Sequence, residues 1–204
     1  MILLAGTPGS GKTIFASQFL HEGLKANEPG IYVSFAEDNA TFLRNMHKLE
    51  MDFEKYEKNK RFKYLDLVTV KEKGITSIFK RVFAEVHSIK AKRLVIDSIS
   101  ALNQAFERKI DARMLLHTVL GKISRTMGVT TMLISIEEEA SSAASSMVSA
   151  LMDNIISLRH VEIESALKRS LVIFKARGTA HDRDIRESEI TLKGMIVKGE
   201  IRRT

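Results

Sequence analysis

A glycine-rich segment close to the start of the chain, GTPGSGKT at 6–13, matches the phosphate-binding pattern G-x-x-x-x-G-K-[ST] at every fixed position. Its glycines let backbone N–H groups approach phosphate oxygens, and the helix that follows adds partial positive charge. Lys12 is expected to reach the β and γ phosphates, and the Thr13 hydroxyl to coordinate Mg²⁺. The predicted nucleotide-binding residues are Gly6, Thr7, Pro8, Gly9, Ser10, Gly11, Lys12, Thr13 and Ile14.

An acidic residue lies at the end of an apolar run, in the segment LVIDS at 94–98. Asp97 is the residue in it that is expected to hold Mg²⁺ through water. The histidines show no spacing typical of a zinc site, so we interpret them as surface or core residues rather than ligands. They are His21, His47, His87, His117, His160 and His181.

The stretch SFAEDN at 34–39 follows another apolar run and carries Glu37 and Asp38 side by side, with Ala36 just before them. A carboxylate near a nucleotide site could take a proton from the attacking water, which is general base catalysis. The chain therefore either keeps a base for hydrolysis here or binds a nucleotide without cleaving it.

The segments around these residues alternate between strand-like and helix-like patterns, which predicts an α/β core with a mainly parallel sheet. Asn39 is the expected cap of the second helix. The charged segment FEKYEKNKRFKY at 53–64 is interpreted as solvated surface. Strands are predicted at 2–6, 30–35, 62–67, 93–98 and 129–136, and helices at 13–26, 39–49, 75–90 and 111–127.

The pattern changes after residue 136. The segment 137–150 is rich in small residues and is expected to be a mobile loop or a short helix. Strands without intervening helices are then predicted at 154–163, 169–178 and 188–197, which indicates a C-terminal antiparallel β meander.

Length and composition restrict the class of protein. The 204 residues are most simply one domain, 1–204, and 44% hydrophobic with 28% charged residues is ordinary for a soluble protein. Nothing in the sequence predicts a membrane span or a signal peptide, and without cysteine there is no disulfide framework, so a cytoplasmic location is expected. The net charge of +7 would suit an acidic partner such as nucleic acid, although basic and acidic residues are mixed along most of the chain.

The sequence resembles the KaiC-like branch of the RecA-type ATPases, and within it the second of the two domains of the circadian clock member. The resemblance is carried by GTPGSGKT, LRNMHKLEMDFEKYE, RLVIDSISAL, MDNIISLRHVEIESALKRSLVIFKARGTAHDRDIRE and EITLKG. It implies a RecA-like core, ATP and Mg²⁺ as cofactors, and a homo-oligomeric ring, usually a hexamer, with ATP between neighbouring subunits. By the same resemblance, Lys175 and Arg177 would reach the γ-phosphate of ATP held by the next subunit, and His181 would belong to the same site. On a strand, positions 175 and 177 point to one side.

The sequence departs from the family at the candidate base. The family usually has two adjacent glutamates after the second strand, of which the first is the favoured base. In this register Ala36 takes the first place and Glu37 the second. Glu37 could polarise water itself, Asp38 could replace it less directly, or the site could bind ATP and hydrolyse it very slowly. We favour a weak ATPase with Glu37 as base.

Two further differences concern the start of the chain and a serine. The family's glycine-rich segment before the first strand is absent. This leaves the packing of the nucleotide's adenine base and the affinity for nucleotide open, or it indicates a truncated reading frame. The serine–threonine pair that is phosphorylated in the clock protein aligns with Ser149 and Ala150, and Ser145 and Ser146 lie nearby. Serine autophosphorylation is therefore a minor hypothesis.

The functional hypotheses are an oligomeric ATPase that acts as a signalling or regulatory switch, with a protein partner, or a non-hydrolysing scaffold that ATP holds together. A third is a recombinase-like module that binds DNA in the ring channel, which the basic net charge favours.

Overall fold

The computed structural model describes residues 1–67, 75–100, 118–136 and 151–201. The strands in these ranges are β1 Ile2–Gly6, β2 Gly30–Ser34, β3 Phe62–Asp66, β4 Arg93–Asp97, β5 Thr130–Ile136, β6 Asn154–Ile163, β7 Ala166–Ala176, β8 Arg186–Thr191 and β9 Gly194–Glu200. The helices are α1 Lys12–Lys25, α2 Asn39–His47, α3 Phe53–Lys58, α4 Ile75–Ser88 and a π-helix at Lys122–Thr126. None of these helices is long and apolar enough to cross a membrane.

The strands form one sheet in the order β3-β2-β4-β5-β1-β6-β7-β8-β9. Strands β1 to β6 pair in parallel, whereas β7, β8 and β9 add antiparallel strands at one edge. This confirms the predicted α/β class with a mainly parallel core and a C-terminal antiparallel meander.

The single strand predicted at 188–197 was wrong, because the chain reverses within it to form the β8–β9 hairpin. The amide of Lys193 donates to the Thr191 hydroxyl at 3.2 Å, and Gly194 follows with a φ of 95°, a left-handed conformation that glycine adopts without strain. A continuous alternating pattern hid this turn, since Leu192 at its tip is apolar but 74% exposed.

Alternating side chains of the central strands divide the core into two layers. Leu3, Val33 and Ile96 pack on the face that α4 covers, and Leu4 and Val95 pack on the face that α1, α2 and α3 cover. Both faces of the parallel strands are therefore apolar, as expected for a sheet buried between helices.

The interpretation of 53–64 as solvated surface was also wrong. Residues Phe53–Lys58 form α3, and the rings of Phe53 and Phe62 are buried at 1% and 2% exposure. Their ring centroids lie 4.6 Å apart, and both rings contact Phe42 of α2. Charged neighbours surround these two aromatic residues in the sequence, but the aromatic residues point inward and the charged ones outward.

The N-terminus of α2 is capped by Asp38 rather than by Asn39. The Asp38 carboxylate accepts a hydrogen bond from the amide of Thr41 at 2.9 Å, while Asn39 is the first helical residue. The helix predicted at 111–127 is described only from residue 118, where an α-helical turn leads into the π-helix. The segment 137–150 lies outside the described residues, and with it Ser145, Ser146, Ser149 and Ala150.

Candidate nucleotide-binding site

The glycine-rich loop connects β1 to α1 and is packed tightly at both ends. At Gly6 the backbone passes so close to β6 that an added Cβ would lie 2.0 Å from the carbonyl oxygen of Leu158. At Gly11, φ is 98° and a Cβ would lie 2.5 Å from the Cε of Met195 on β9. A side chain would clash with backbone at Gly6 and would be strained by the positive φ at Gly11, so glycine at both positions allows the close path of the loop that a phosphate chain needs.

Lys12 is buried, and its Nζ donates to the carbonyl oxygens of Gly6 at 2.8 Å and Thr7 at 2.7 Å. Burial lowers the pKa of Lys12, and the charge of Asp97 opposes that shift. Within the described ranges no carboxylate lies within ion-pair distance of this ammonium group. A desolvated cation held only by carbonyls fits an anion such as a phosphate group, which would compensate its charge.

Thr13 and Asp97, the two residues predicted to hold the metal, lie together. The Thr13 hydroxyl donates to Oδ2 of Asp97 at 3.1 Å, and the buried hydroxyl of Tyr32 donates to the same oxygen at 2.6 Å. Oxygen ligands and few protein side chains are typical of Mg²⁺ bound with phosphates. In the described part of the chain, no group of three or more His, Cys, Asp or Glu side chains forms a metal cage of its own.

Glu37 is held in place from three sides. The Ser34 hydroxyl accepts hydrogen bonds from the amides of Ala36 at 3.3 Å and Glu37 at 3.0 Å, and the Tyr64 hydroxyl donates to the Glu37 carbonyl at 2.7 Å. Nδ2 of Asn45 then donates to the carboxylate Oε1 of Glu37 at 2.8 Å. The backbone and the side chain of Glu37 are therefore both fixed at the end of β2.

The two acidic residues of this stretch have different surroundings. Burial raises the pKa of Glu37, the hydrogen bond from Asn45 opposes the shift, and the charges of Asp38 and Asp97 add to it. Asp38 is exposed, and hydrogen bonds from the α2 backbone lower its pKa. A carboxyl group with a raised pKa is a stronger base when ionised, so Glu37 has the properties of a general base and Asp38 those of a helix cap.

His160 contacts the phosphate-binding loop, which sequence reasoning did not predict. Its Nδ1 lies 3.4 Å from the Thr7 hydroxyl, and its Cε1 would lie 3.6 Å from a Cβ added at Gly9. The histidine reaches this place because β6 pairs with β1 and continues past the level of Gly6, which pairs with Leu158. Only the register of the two strands reveals the contact.

Lys175 and Arg177 lie at the other end of β6 from the loop. Lys175 pairs with Ile155, and the amide of Arg177 donates to the Asp153 carbonyl at 2.8 Å. β7 ends at Ala176, so Arg177 occupies the following turn rather than the strand, and its Nη1 lies 3.7 Å from Oδ1 of Asp153.

His181 lies in the loop between β7 and β8. The structure brings four of the predicted residues together at the carboxyl ends of the parallel strands: Lys12, Thr13, Asp97 and Glu37. It does not bring Lys175 or Arg177 to those strand ends.

A phosphate-binding loop after the first strand of a parallel sheet, with a hydroxyl, an aspartate and a glutamate at the same edge, defines a P-loop nucleotide-binding protein of the RecA-like type. The chain belongs to the KaiC family of ATPases, because the family model described as ATPase: KaiC matches residues 1–201.

Similar proteins agree with this assignment. A UPF0273 protein of Pyrococcus horikoshii is 35% identical over 217 residues, which cover 97% of this chain and 85% of the relative. The circadian clock oscillator protein KaiC of Synechococcus elongatus is 31% identical over 207 residues, 99% of this chain but 39% of that protein. The crystal structure of a KaiC-like protein from Pyrococcus horikoshii superposes with a TM-score of 0.85 at 32% identity, and covers 97% of this chain and 88% of that one.

Proposed function

We propose that this protein is a Mg²⁺-dependent ATPase of low turnover that works as a homo-oligomeric ring, with ATP bound between neighbouring subunits, in a signalling or regulatory role. The observation that carries the proposal is the fixed position of Glu37, whose carboxylate accepts from Asn45 at the sheet edge that also holds Asp97. A general base must be held within reach of the water that it activates, and this hydrogen bond holds the Glu37 carboxylate in one position.

Each residue of the site has a role in this proposal. The loop amides and Lys12 bind the phosphates, and the Lys12 ammonium exchanges its two carbonyl partners for phosphate oxygens. Thr13 and Asp97 hold Mg²⁺, which when bound neutralises charge on the phosphates. Glu37 orients a water molecule and accepts its proton, a contribution of about 10²–10⁴-fold in rate.

The position of the remaining cations supports the proposed ring. Lys175 and Arg177 lie at the opposite end of β6 from the loop, so they would act on ATP held by a neighbouring subunit. A cation at the γ-phosphate stabilises the charge that develops there and can contribute about 10³–10⁵ in rate.

The test is phosphate release from Mg-ATP by the intact chain beside Lys12→Ala, Glu37→Gln and Asp38→Asn. Glu37→Gln should lower turnover by about 10²–10⁴-fold while ATP binding is kept. Asp38→Asn is the matched control, since asparagine still caps α2 and the turnover should stay near that of the intact chain. Loss of turnover in Asp38→Asn but not in Glu37→Gln would show that the base was assigned to the wrong residue.

A second candidate, supported by the exposed Ala36 in place of the usual first glutamate, is a scaffold in which ATP only holds the ring together. It predicts that the intact chain binds ATP but releases phosphate no faster than Lys12→Ala. Size-exclusion chromatography with and without Mg-ATP separates both candidates from a protein that is a monomer under every condition, which would exclude the ring.

A further inference from the structure

A groove of about 880 Å³ lies between α2 and α3, on the side of the sheet that also carries α1. Ala40 and Leu43 contribute apolar side chains to its wall. Its exposed basic lining residues are Arg44, His47, Lys48, Lys55 and Lys58.

The charge of this α2–α3 groove is not balanced within the described residues. Arg44, Lys48 and Lys55 have no carboxylate within ion-pair distance in that part of the chain. The two acidic lining residues are engaged locally: the Asp52 carboxylate accepts from the amide of Lys55 at 3.1 Å, and Glu54 lies 3.8 Å from Lys58. The groove therefore presents an excess of positive charge around an apolar patch.

We propose that the α2–α3 groove binds an acidic segment of a regulatory protein, with its carboxylates on Arg44, Lys48 and Lys55 and an apolar side chain against Leu43. A peptide suits this surface better than single-stranded nucleic acid, because stacking of bases on aromatic side chains contributes much of the affinity for a single strand. Among the described residues that line the groove there is no Phe, Tyr or Trp.

The groove is connected to the candidate base through α2. This helix begins at Asn39, two residues after Glu37, and carries Asn45, the donor to the Glu37 carboxylate. Asn39, at the start of α2, also donates to Glu57 of α3 at 3.4 Å. A segment that contacts both helices fixes α2 against α3 and holds Asn45 on Glu37, so its binding raises ATP turnover. This coupling rests on the proposed function, whereas the binding itself does not.

Binding is tested with a fluorescein-labelled peptide of alternating Glu and Leu and measured as anisotropy at several salt concentrations. The variant Arg44→Glu/Lys48→Glu/Lys55→Glu is compared with Arg81→Glu/Lys92→Glu/Lys193→Glu, which changes the net charge equally on exposed residues elsewhere. One exposed ion pair changes affinity by about 1.4- to fivefold, so loss of the three groove pairs should weaken binding by about 3- to 125-fold. The control should bind like the intact chain.

Equal loss in both variants, or no salt-dependent binding by the intact chain, overturns the proposal. Tighter binding of a labelled single-stranded oligonucleotide that is lost only in the groove variant would also overturn it, since the groove would then be a nucleic-acid site. A circular dichroism spectrum of each variant shows that the fold is kept.

The coupling is tested by phosphate release with and without the unlabelled peptide, in the intact chain and in Asn45→Ala. The peptide should raise turnover of the intact chain and leave that of Asn45→Ala unchanged, although both bind it. An equal increase in both proteins refutes the route through Asn45. Peptide binding in a chain that has no turnover of its own would refute the proposed ATPase and leave the binding site intact.

Discussion

Tyr32→Phe removes one oxygen atom from a side chain that is 1% exposed, and it tests how Asp97 is held. The Tyr32 hydroxyl donates to Oδ2 of Asp97 at 2.6 Å, and burial raises its pKa well above the ordinary value, so it remains a donor throughout the neutral range. A hydrogen bond to a charged acceptor contributes about 1.5–3 kcal/mol. The ring contacts with Phe42 and Tyr64, at centroid distances of 4.7 and 5.6 Å, survive the substitution.

We therefore expect the free energy of unfolding to fall by about 1.5–3 kcal/mol, measured in urea without nucleotide. The Mg²⁺ concentration for half-maximal ATP turnover should rise by about 10–100-fold, because partners that orient a metal ligand change metal affinity by that factor. Both effects have one cause, the loss of a donor to Asp97.

Tyr64→Phe is the matched control. Its ring stacks on Tyr32 at an interplanar angle of 7°, but its hydroxyl donates to the Glu37 carbonyl instead of to Asp97. It should change the maximal turnover and leave the Mg²⁺ dependence as it is. An unchanged Mg²⁺ dependence in Tyr32→Phe, or the same shift in Tyr64→Phe, would refute the role given to Tyr32.

Four further predictions test other parts of the structure. Phe53→Ala should lower the free energy of unfolding in urea by about 3–5 kcal/mol, because the ring is buried against Phe42 and Phe62; a loss under about 1 kcal/mol would contradict this packing. Gly6→Ala should abolish binding of a fluorescent ATP analogue, since its methyl group would meet the Leu158 carbonyl, whereas Gly121→Ala, with open space around it, should bind normally. His160→Ala should weaken binding of the analogue by about two- to fivefold, and unchanged affinity would show that the contact with Thr7 has no effect. Because burial raises the pKa of Glu37, ATP turnover should begin to fall at a pH above the ordinary carboxyl range when the pH is lowered. Glu37→Gln should raise the midpoint of thermal unfolding more at neutral pH, where burial of the ionised carboxylate costs stability, than at acid pH, where Glu37 is already protonated.

The parts of the site that sequence alone predicted are contiguous or mark the end of an apolar run. The loop at 6–13 contains its whole pattern within eight residues, and Asp97 is the last residue of a buried strand. Their meeting in space follows from a general rule, that parallel strands present their carboxyl ends at one edge of a sheet. The same reasoning explains why the α/β class was predictable, since strands buried on both faces are apolar throughout.

The residues that position the site could not be predicted in the same way. Tyr32, Tyr64 and Asn45 reach Asp97 and Glu37 from three different elements, and only the placement of β2 between β3 and β4 makes these contacts possible. The apolar run of β2 indicates that Tyr32 is buried but not which carboxylate its hydroxyl meets. Short elements were missed for a related reason, because α3 has six residues and too few apolar positions to show helical periodicity.

The separation of Arg177 from the loop of its own chain has a consequence for assembly. Gly6 pairs with Leu158, while the amide of Arg177 donates to the carbonyl of Asp153, which lies five residues earlier in the chain and about 16 Å away along the direction of β6. If Arg177 acts on ATP at all, it must act on ATP in another copy, whose own Arg177 must then serve a third. Such head-to-tail contacts either close into a ring or continue as a filament, and only closure supplies every site with a cation.

A mixture of Arg177→Ala and Lys12→Ala chains is therefore informative, because neither variant should hydrolyse ATP alone, whereas mixed rings contain boundaries with an intact Lys12 and an intact Arg177. Recovery of turnover on mixing would support action between subunits, and a mixture as inactive as its components would contradict it.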